Sequence, residues 1–73
     1  MNAQEIRLRV ALLEAGLRQI DLARQTGLAE STVSRILNAY RAPTTAEKEK
    51  IAHALGCAID ALWPQERPVD ADA

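Results

Sequence analysis

The segment from Gln19 to Asn38 constrains the fold of this 73-residue chain more than any other. Ala23 is small where two helices would cross, so their backbones can approach closely. Gly27 stands where the first helix must end in a left-handed residue, a conformation that glycine adopts at least cost. Val33 is apolar between polar neighbours, which indicates an inward-facing position on a second helix. The segment therefore predicts a helix-turn-helix, whose second helix can enter a major groove of DNA.

The pattern of apolar residues in the rest of the chain also predicts helices, and no segment alternates between apolar and polar residues as a strand does. The predicted helices span about Ala3–Glu14, Gln19–Gln25, Glu30–Leu37, a segment from the cap at Thr44 to Leu55, and Ile59–Trp63. Gly16 and Gly56 end the first and fourth helices. Thr44 and Glu47 have the spacing of a capping box at the start of the fourth helix. The predicted fold is an all-α, compact five-helix domain over residues 1–64, followed by a flexible acidic tail over residues 65–73.

The apolar spacing also predicts which side chains form the core. On the first helix, one face carries Ile6, Val10 and Leu13, and the same spacing continues to Leu17. The other helices are expected to bury Leu22, Ala23, Val33, Ile36, Leu37, Ile51, Ala54 and Leu55. A chain of this length supports one small core, so we expect either marginal stability or stabilisation by self-association.

The charges are divided unevenly along the chain, although the net charge is only −1. Residues 1–41 hold six arginines and four acidic residues, whereas residues 42–73 hold three basic and six acidic residues. The positive half carries the predicted helix-turn-helix, and arginine suits bidentate contacts with phosphate and guanine. This asymmetry fits DNA binding, and an ordinary mixed surface fits it nearly as well.

Composition argues against several other classes of protein. The single cysteine, Cys57, excludes an internal disulfide and a cysteine-based metal cluster. No residue stands at a spacing from His53 that would suit a catalytic or metal-ligand partner. The sequence also contains no motif for a phosphate loop or a paired-carboxylate cleft. The sequence therefore predicts no enzyme, cofactor or metal. It shows neither a signal peptide nor a membrane-spanning run, which predicts a soluble, cytoplasmic protein.

The chain resembles the lambda-repressor-like, Cro-type helix-turn-helix family of bacterial and phage regulators, also called the XRE family. The resemblance covers about residues 6–63. It is carried by Gln19, Leu22-Ala23, Gly27-Leu28, Ser31-Thr32-Val33-Ser34-Arg35-Ile36-Leu37-Asn38, Pro43, Ile51-Ala52, Ala54-Leu55-Gly56-Cys57, Ile59-Asp60 and Leu62. The resemblance implies a sequence-specific DNA-binding transcriptional regulator, most simply a repressor that reads double-stranded DNA with helix 3.

The resemblance also implies roles for individual residues. Gln19 would open helix 2 against a backbone phosphate, and Asn38 would lie near the sugar-phosphate backbone past the end of helix 3. The positions that would face the groove are Glu30, Ser31, Ser34 and Arg35. Geometry agrees, since these side chains cannot all point inward when Val33, Ile36 and Leu37 do.

Each of these residues also has a simpler interpretation. Arg35 either grips guanine O6 and N7 or is a phosphate-contacting or solvated surface arginine. Glu30 either accepts from a cytosine amino group or only favours the positive end of its helix. Thr32 either contacts DNA or supports the turn. Tyr40 and Arg41, in the loop after helix 3, are candidates for backbone or minor-groove contact. Arg18, next to Gln19, is either solvated or reaches a phosphate.

The chain departs from the family pattern at both ends of helix 3. Ala29 stands where Ser or Thr often caps the helix, and the missing cap forfeits about 1 kcal/mol. Ala39 follows Asn38 where the family often has glycine, which predicts that Asn38 itself takes the left-handed conformation. Both departures affect local geometry and leave the fold unchanged.

Two further expectations concern partners. Trp63, beside Ile59 and Leu62, either closes the core or forms an exposed apolar patch for dimerisation. We also predict a homodimer, because one helix in one groove would make few phosphate contacts, and its two recognition helices are expected about 34 Å apart, one turn of DNA. The alternative function is a protein-interaction module of the same fold, such as an antitoxin or an anti-repressor.

Overall fold

The computed structural model describes residues 3–64, and these residues form five helices and no strand. The helices are α1 (Ala3–Glu14), α2 (Gln19–Thr26), α3 (Glu30–Leu37), α4 (Thr45–Leu55) and α5 (Ile59–Leu62). The all-α prediction is confirmed, and the predicted bounds agree to within one residue at each end. The predicted acidic tail, residues 65–73, lies outside the described residues. Between residues 3 and 64, no helix is both long and apolar enough to span a membrane.

Local sequence signals set the helix ends as predicted. The Glu47 backbone N–H donates to Thr44 Oγ1 at 3.2 Å, and the Thr44 N–H donates to Glu47 Oε1 at 2.9 Å. This is a complete capping box at the start of α4. Gly16 and Gly56 follow α1 and α4, each with a φ of 71°.

The core lies where the first four helices meet, and each of them contributes one side chain that is at most 1% exposed. These side chains are Leu8, Leu22, Val33 and Ile51. Helix α2 packs against α3 and α4, while α1 packs against α3 and α5. Leu62 and Trp63, at the end of α5, close the core and are 2% and 6% exposed.

Helix α1 turns a different face inward from the one that its spacing predicts. Leu8 and Ala11 are buried, and Leu12 and Leu17 pack against the core from partly buried positions. Of the predicted face, only Leu17 packs against the core, and it lies beyond the end of the helix.

The prediction was therefore wrong for Ile6, Val10 and Leu13, which are 47%, 43% and 78% exposed. The physical reason is that α1 is apolar on two faces. Leu8, Ala11 and Leu12 have the same helical spacing as the predicted set, so periodicity alone does not choose between the faces.

Candidate nucleic-acid interface

The turn between α2 and α3 is fixed by one glycine and one buried threonine. Gly27 has a φ of 76°, and its N–H donates to the Ala23 carbonyl at 2.9 Å. Thr26 is 7% exposed, and its hydroxyl donates to the Leu22 carbonyl at 2.8 Å. The Leu28 N–H donates to the same hydroxyl oxygen at 3.3 Å. The hydroxyl therefore links the last turn of α2 to the chain that enters α3.

Helix α3 is docked by one face and presents the other to solvent. Val33, Ile36 and Leu37 are at most 3% exposed, which anchors the helix against the core. The outward side chains are Glu30, Ser31 and Arg35, which are exposed, and Thr32 and Ser34, which are half-buried. Ala29 precedes the helix with no side-chain cap, as its residue type predicts. A rigid, outward polar ridge of this kind is what entry into a major groove requires.

Asn38, just past α3, is held by contacts inside the chain. Its Oδ1 accepts from Nη2 of Arg9 on α1, and its Nδ2 donates to the Ser34 carbonyl at 2.9 Å. Nδ2 also lies 3.4 Å from the Ser34 hydroxyl. Asn38 therefore links the carboxyl end of α3 to α1, and it contacts both the carbonyl and the hydroxyl of Ser34.

The left-handed residue after α3 is Ala39 rather than Asn38, so that prediction was wrong. Asn38 has a φ of −96°, whereas Ala39 has a φ of 61°. The Tyr40 N–H donates to the Arg35 carbonyl at 2.8 Å, and the Ala39 N–H donates to the Ile36 carbonyl at 3.1 Å. This pair of bonds is the Schellman motif, which needs its left-handed residue one position beyond the helix cap.

The loop that follows α3 carries an exposed tyrosine and an arginine that pairs within the chain. Tyr40 is 83% exposed. Both terminal nitrogens of Arg41 donate to the Glu47 carboxylate, each at 2.9 Å. The Arg41 guanidinium holds the pKa of that carboxyl below its usual range, and the Thr44 N–H adds to the effect. Arg41 therefore supports the loop in this structure, and the DNA contact that the sequence suggested for it stays a prediction.

The start of α2 carries the two remaining candidates. The Arg18 side chain is 78% exposed, and Gln19 is half-buried. Asp21 Oδ2 accepts from the Arg18 backbone N–H at 2.9 Å and from its Nε at 3.2 Å. These two bonds, the backbone bond foremost, lower the pKa of Asp21. These bonds use the backbone N–H and Nε of Arg18, which is the residue directly before α2.

The Helix-turn-helix family model matches residues 8–62, most of the chain, including all of α2 and α3. The chain belongs to the helix-turn-helix family. Proteins of this family, which includes the XRE and lambda-repressor-like regulators, bind DNA and regulate transcription. Comparisons with curated proteins and with solved structures gave no significant match.

Within this helix-turn-helix domain, the residues expected to form a dimer patch turn inward. Leu62 and Trp63 are buried, and Ile59 packs against the core from a half-buried position. Of the two alternatives for Trp63, the structure shows that it closes the core, and Leu62 is buried with it, because α5 is a single turn laid against α1 and α4. Within residues 3–64, no group of His, Cys, Asp or Glu side chains is arranged to hold a metal ion.

Two residues that shape the helix-turn-helix interface were not singled out by the sequence. Thr26 holds the turn, a role that sequence reasoning offered to Thr32 instead. Arg9 reaches Asn38 across 29 positions of sequence. A threonine one residue before a helix-ending glycine is a signal that was available. The contact between Arg9 and Asn38 depends on how α1 packs, which the sequence did not reveal.

Proposed function

We propose that this domain is a sequence-specific transcriptional repressor of bacterial or phage origin that reads the major groove with α3. The observation that carries the proposal is the orientation of α3. Its apolar residues anchor it in the core while Glu30, Ser31 and Arg35 stay exposed on a rigid helix. Ser34 and Thr32 border this ridge and extend the set that base edges or phosphates can meet.

Contacts with the DNA backbone would come from both ends of the motif. Arg18 and Gln19 lie at the amino end of α2, where backbone N–H groups also favour a phosphate, and the Arg18 side chain is 78% exposed. Tyr40 lies at the other end, past α3, whereas the Asn38 amide beside it is bonded to Arg9 and Ser34 and would reach a phosphate only by giving up one of these bonds. Phosphate contacts on both sides would fix the register of α3, and the side chains of α3 would then supply the sequence preference.

A homodimer is part of the proposal, because a single eight-residue recognition helix reads only a few base pairs. Two copies related by a two-fold axis would read two half-sites about 34 Å apart. Selection of bound sequences from a random DNA pool tests this directly. We expect a palindromic consensus, and the absence of any consensus would contradict sequence-specific binding.

Arg35 is the sharpest single test of α3. On the selected site, Arg35→Ala is expected to weaken binding by about 1–3 kcal/mol, or roughly 5- to 150-fold, with a smaller loss on random DNA. Arg35→Lys keeps the charge and loses the bidentate geometry, so it is expected to lose preference for the site more than overall affinity. Fluorescence anisotropy on labelled duplexes measures both.

Lys50→Ala is the matched control, because it removes one positive charge from an exposed position on α4. It is expected to leave the preference between the two duplexes unchanged. If Arg35→Ala loses the same affinity for both duplexes, Arg35 contacts a phosphate rather than a base. Binding should also fall steeply with added salt, and a flat salt response would contradict the phosphate contacts.

A protein-interaction module, such as an antitoxin or an anti-repressor, is the second candidate function. It is favoured by the acidic balance of residues 42–73, which hold six acidic and three basic residues. A chain that selects no DNA sequence but binds a protein stoichiometrically would support this candidate over the repressor.

A further inference from the structure

Helix α1 carries an apolar face that the fold leaves open to solvent. In the part of the chain whose burial is described, residues 6–64, four large hydrophobic side chains are exposed, and three of them lie on α1. Ile6, Val10 and Leu13 follow one another at spacings of four and three residues, so they form a single stripe. We call these three residues the α1 stripe. Apolar residues at this spacing form the contact line between paired helices.

The charges beside the stripe indicate what covers it. Arg7 and Glu14 are both exposed, and each follows a stripe residue directly, Ile6 and Leu13 respectively. They are seven residues apart and therefore flank the same side of the stripe near its two ends. Arginine marks one end of this flank, and glutamate marks the other.

This arrangement is complementary to itself when two α1 helices run antiparallel. A two-fold axis near Val10 would then place Arg7 opposite the partner's Glu14, and the symmetry would repeat the ion pair. In a parallel pair, the two-fold axis would run along the helices and carry this flank of the partner to the opposite side of the stripe, so Arg7 and Glu14 would not meet across the pair. Flanking charges of this kind set partner and orientation in paired helices.

We propose that the α1 stripe is the dimerisation surface, and that it pairs antiparallel with the α1 stripe of a second copy of this chain. The proposal deepens the homodimer of the proposed function and replaces the patch that the sequence suggested on α5. It rests on the proposed function for its purpose, although its test needs no DNA.

The dimer is expected to be weak in the absence of DNA. Three partly exposed side chains per copy cover less than the roughly 800 Å² per partner that a standard interface buries. Adjacent half-sites would hold two copies close together and raise their effective concentration. Weak pairing of free protein would then become cooperative binding on a palindrome.

Sedimentation equilibrium of the full chain over a wide concentration range tests the proposal. We expect a concentration-dependent monomer–dimer equilibrium for the unmodified protein. Leu13→Glu places a carboxylate in the stripe at a position that is 78% exposed, so the fold should tolerate it. It is expected to raise the dimer dissociation constant at least about tenfold. Tyr40→Glu, an equivalent change at the exposed hydrophobe outside α1, is the control and should leave the dimer unchanged.

Charge reversal tests the antiparallel register. Arg7→Glu alone and Glu14→Arg alone are each expected to weaken self-association by about two- to tenfold, since each replaces attraction by repulsion. The double variant should restore it. A mixture of the two single variants should form a heterodimer, because each copy then offers the charges that the other lacks.

Several results would overturn the proposal. An unmodified chain that sediments only as a monomer is one such result, and a Leu13→Glu variant that dimerises as well as the control is another. Circular dichroism shows whether each variant is folded. If Leu13→Glu is unfolded, heterodimer formation by the mixture of Arg7→Glu and Glu14→Arg tests the proposal instead. The affinity of the chain for a duplex with one half-site distinguishes a failure of the α1 proposal from a failure of the proposed function. If that affinity persists while dimerisation is absent, only the α1 proposal fails, whereas dimerisation without DNA binding would instead refute the proposed function.

Discussion

Ala39→Gly is predicted to make the domain more stable, although glycine usually does the opposite. Ala39 is an alanine with a φ of 61°, whereas the equivalent left-handed positions after α1 and α4 are Gly16 and Gly56. A left-handed conformation costs a residue with a Cβ about 1–2 kcal/mol. Ala39 is exposed, so removing its methyl group sacrifices little packing.

The expected net effect follows from two opposing terms. Glycine removes the left-handed penalty but adds about 0.4–1 kcal/mol of conformational freedom to the unfolded chain. The difference leaves about 0.5–1 kcal/mol of added stability. For a domain of this size, the corresponding rise in Tm is about 2–8 °C.

Thermal unfolding followed by circular dichroism measures the change. Ala46→Gly is the matched control, because Ala46 is an exposed alanine within α4. There the same substitution should lower the Tm, since a helical position gains nothing from glycine. If Ala39→Gly lowers the Tm as much as Ala46→Gly does, the argument from left-handed strain is refuted.

Three further predictions concern the turn, the cap of α3 and the loop. Thr26→Val should cost about 1–3 kcal/mol in urea unfolding, because the Leu28 N–H loses its partner, while Thr45→Val at an exposed position should change little. Ala29→Ser should add about 1 kcal/mol by capping α3, and an unchanged Tm would show that the N–H groups there are already satisfied. Because the folded-state pKa of Glu47 is lowered, its contribution is present at neutral pH and is lost as the pH falls below about 4. Glu47→Gln should therefore lower the Tm at neutral pH, and the Tm of the variant should change less than that of the unmodified chain when the solution is acidified. An equal loss of Tm in neutral and in acidic solution would contradict the ion pair with Arg41.

Helix positions were predictable because their signals are local. The capping box of Thr44 and Glu47 starts α4, and a left-handed glycine ends it, so both ends can be read from a few adjacent residues. The same holds for Gly27 in the turn. The inward face of α3 was also predictable, because polar residues surround Val33 and leave one apolar direction.

Features that depend on packing were not predictable in the same way. Helix α1 offers Leu8 on one apolar face and Val10 on another, and only its contacts with α3 and α5 decide which is buried. The pairing of Arg41 with Glu47 arises because the loop folds back over the start of α4. Both outcomes bear on the candidate site, since one pairs Arg41 within the chain and the other leaves an apolar face open.

The burial of Trp63 has a practical consequence for all these experiments. It is the only tryptophan in the chain, it is 6% exposed, and the Lys48 ammonium lies 5.9 Å from its ring centroid. Its intrinsic emission therefore reports on a single place, the junction of α4 with the end of α5. Loosening of the interior would shift that emission to longer wavelength, whereas a change confined to the exposed side of α3 would not. One spectrum of the unlabelled chain thus distinguishes a damaged scaffold from an altered surface.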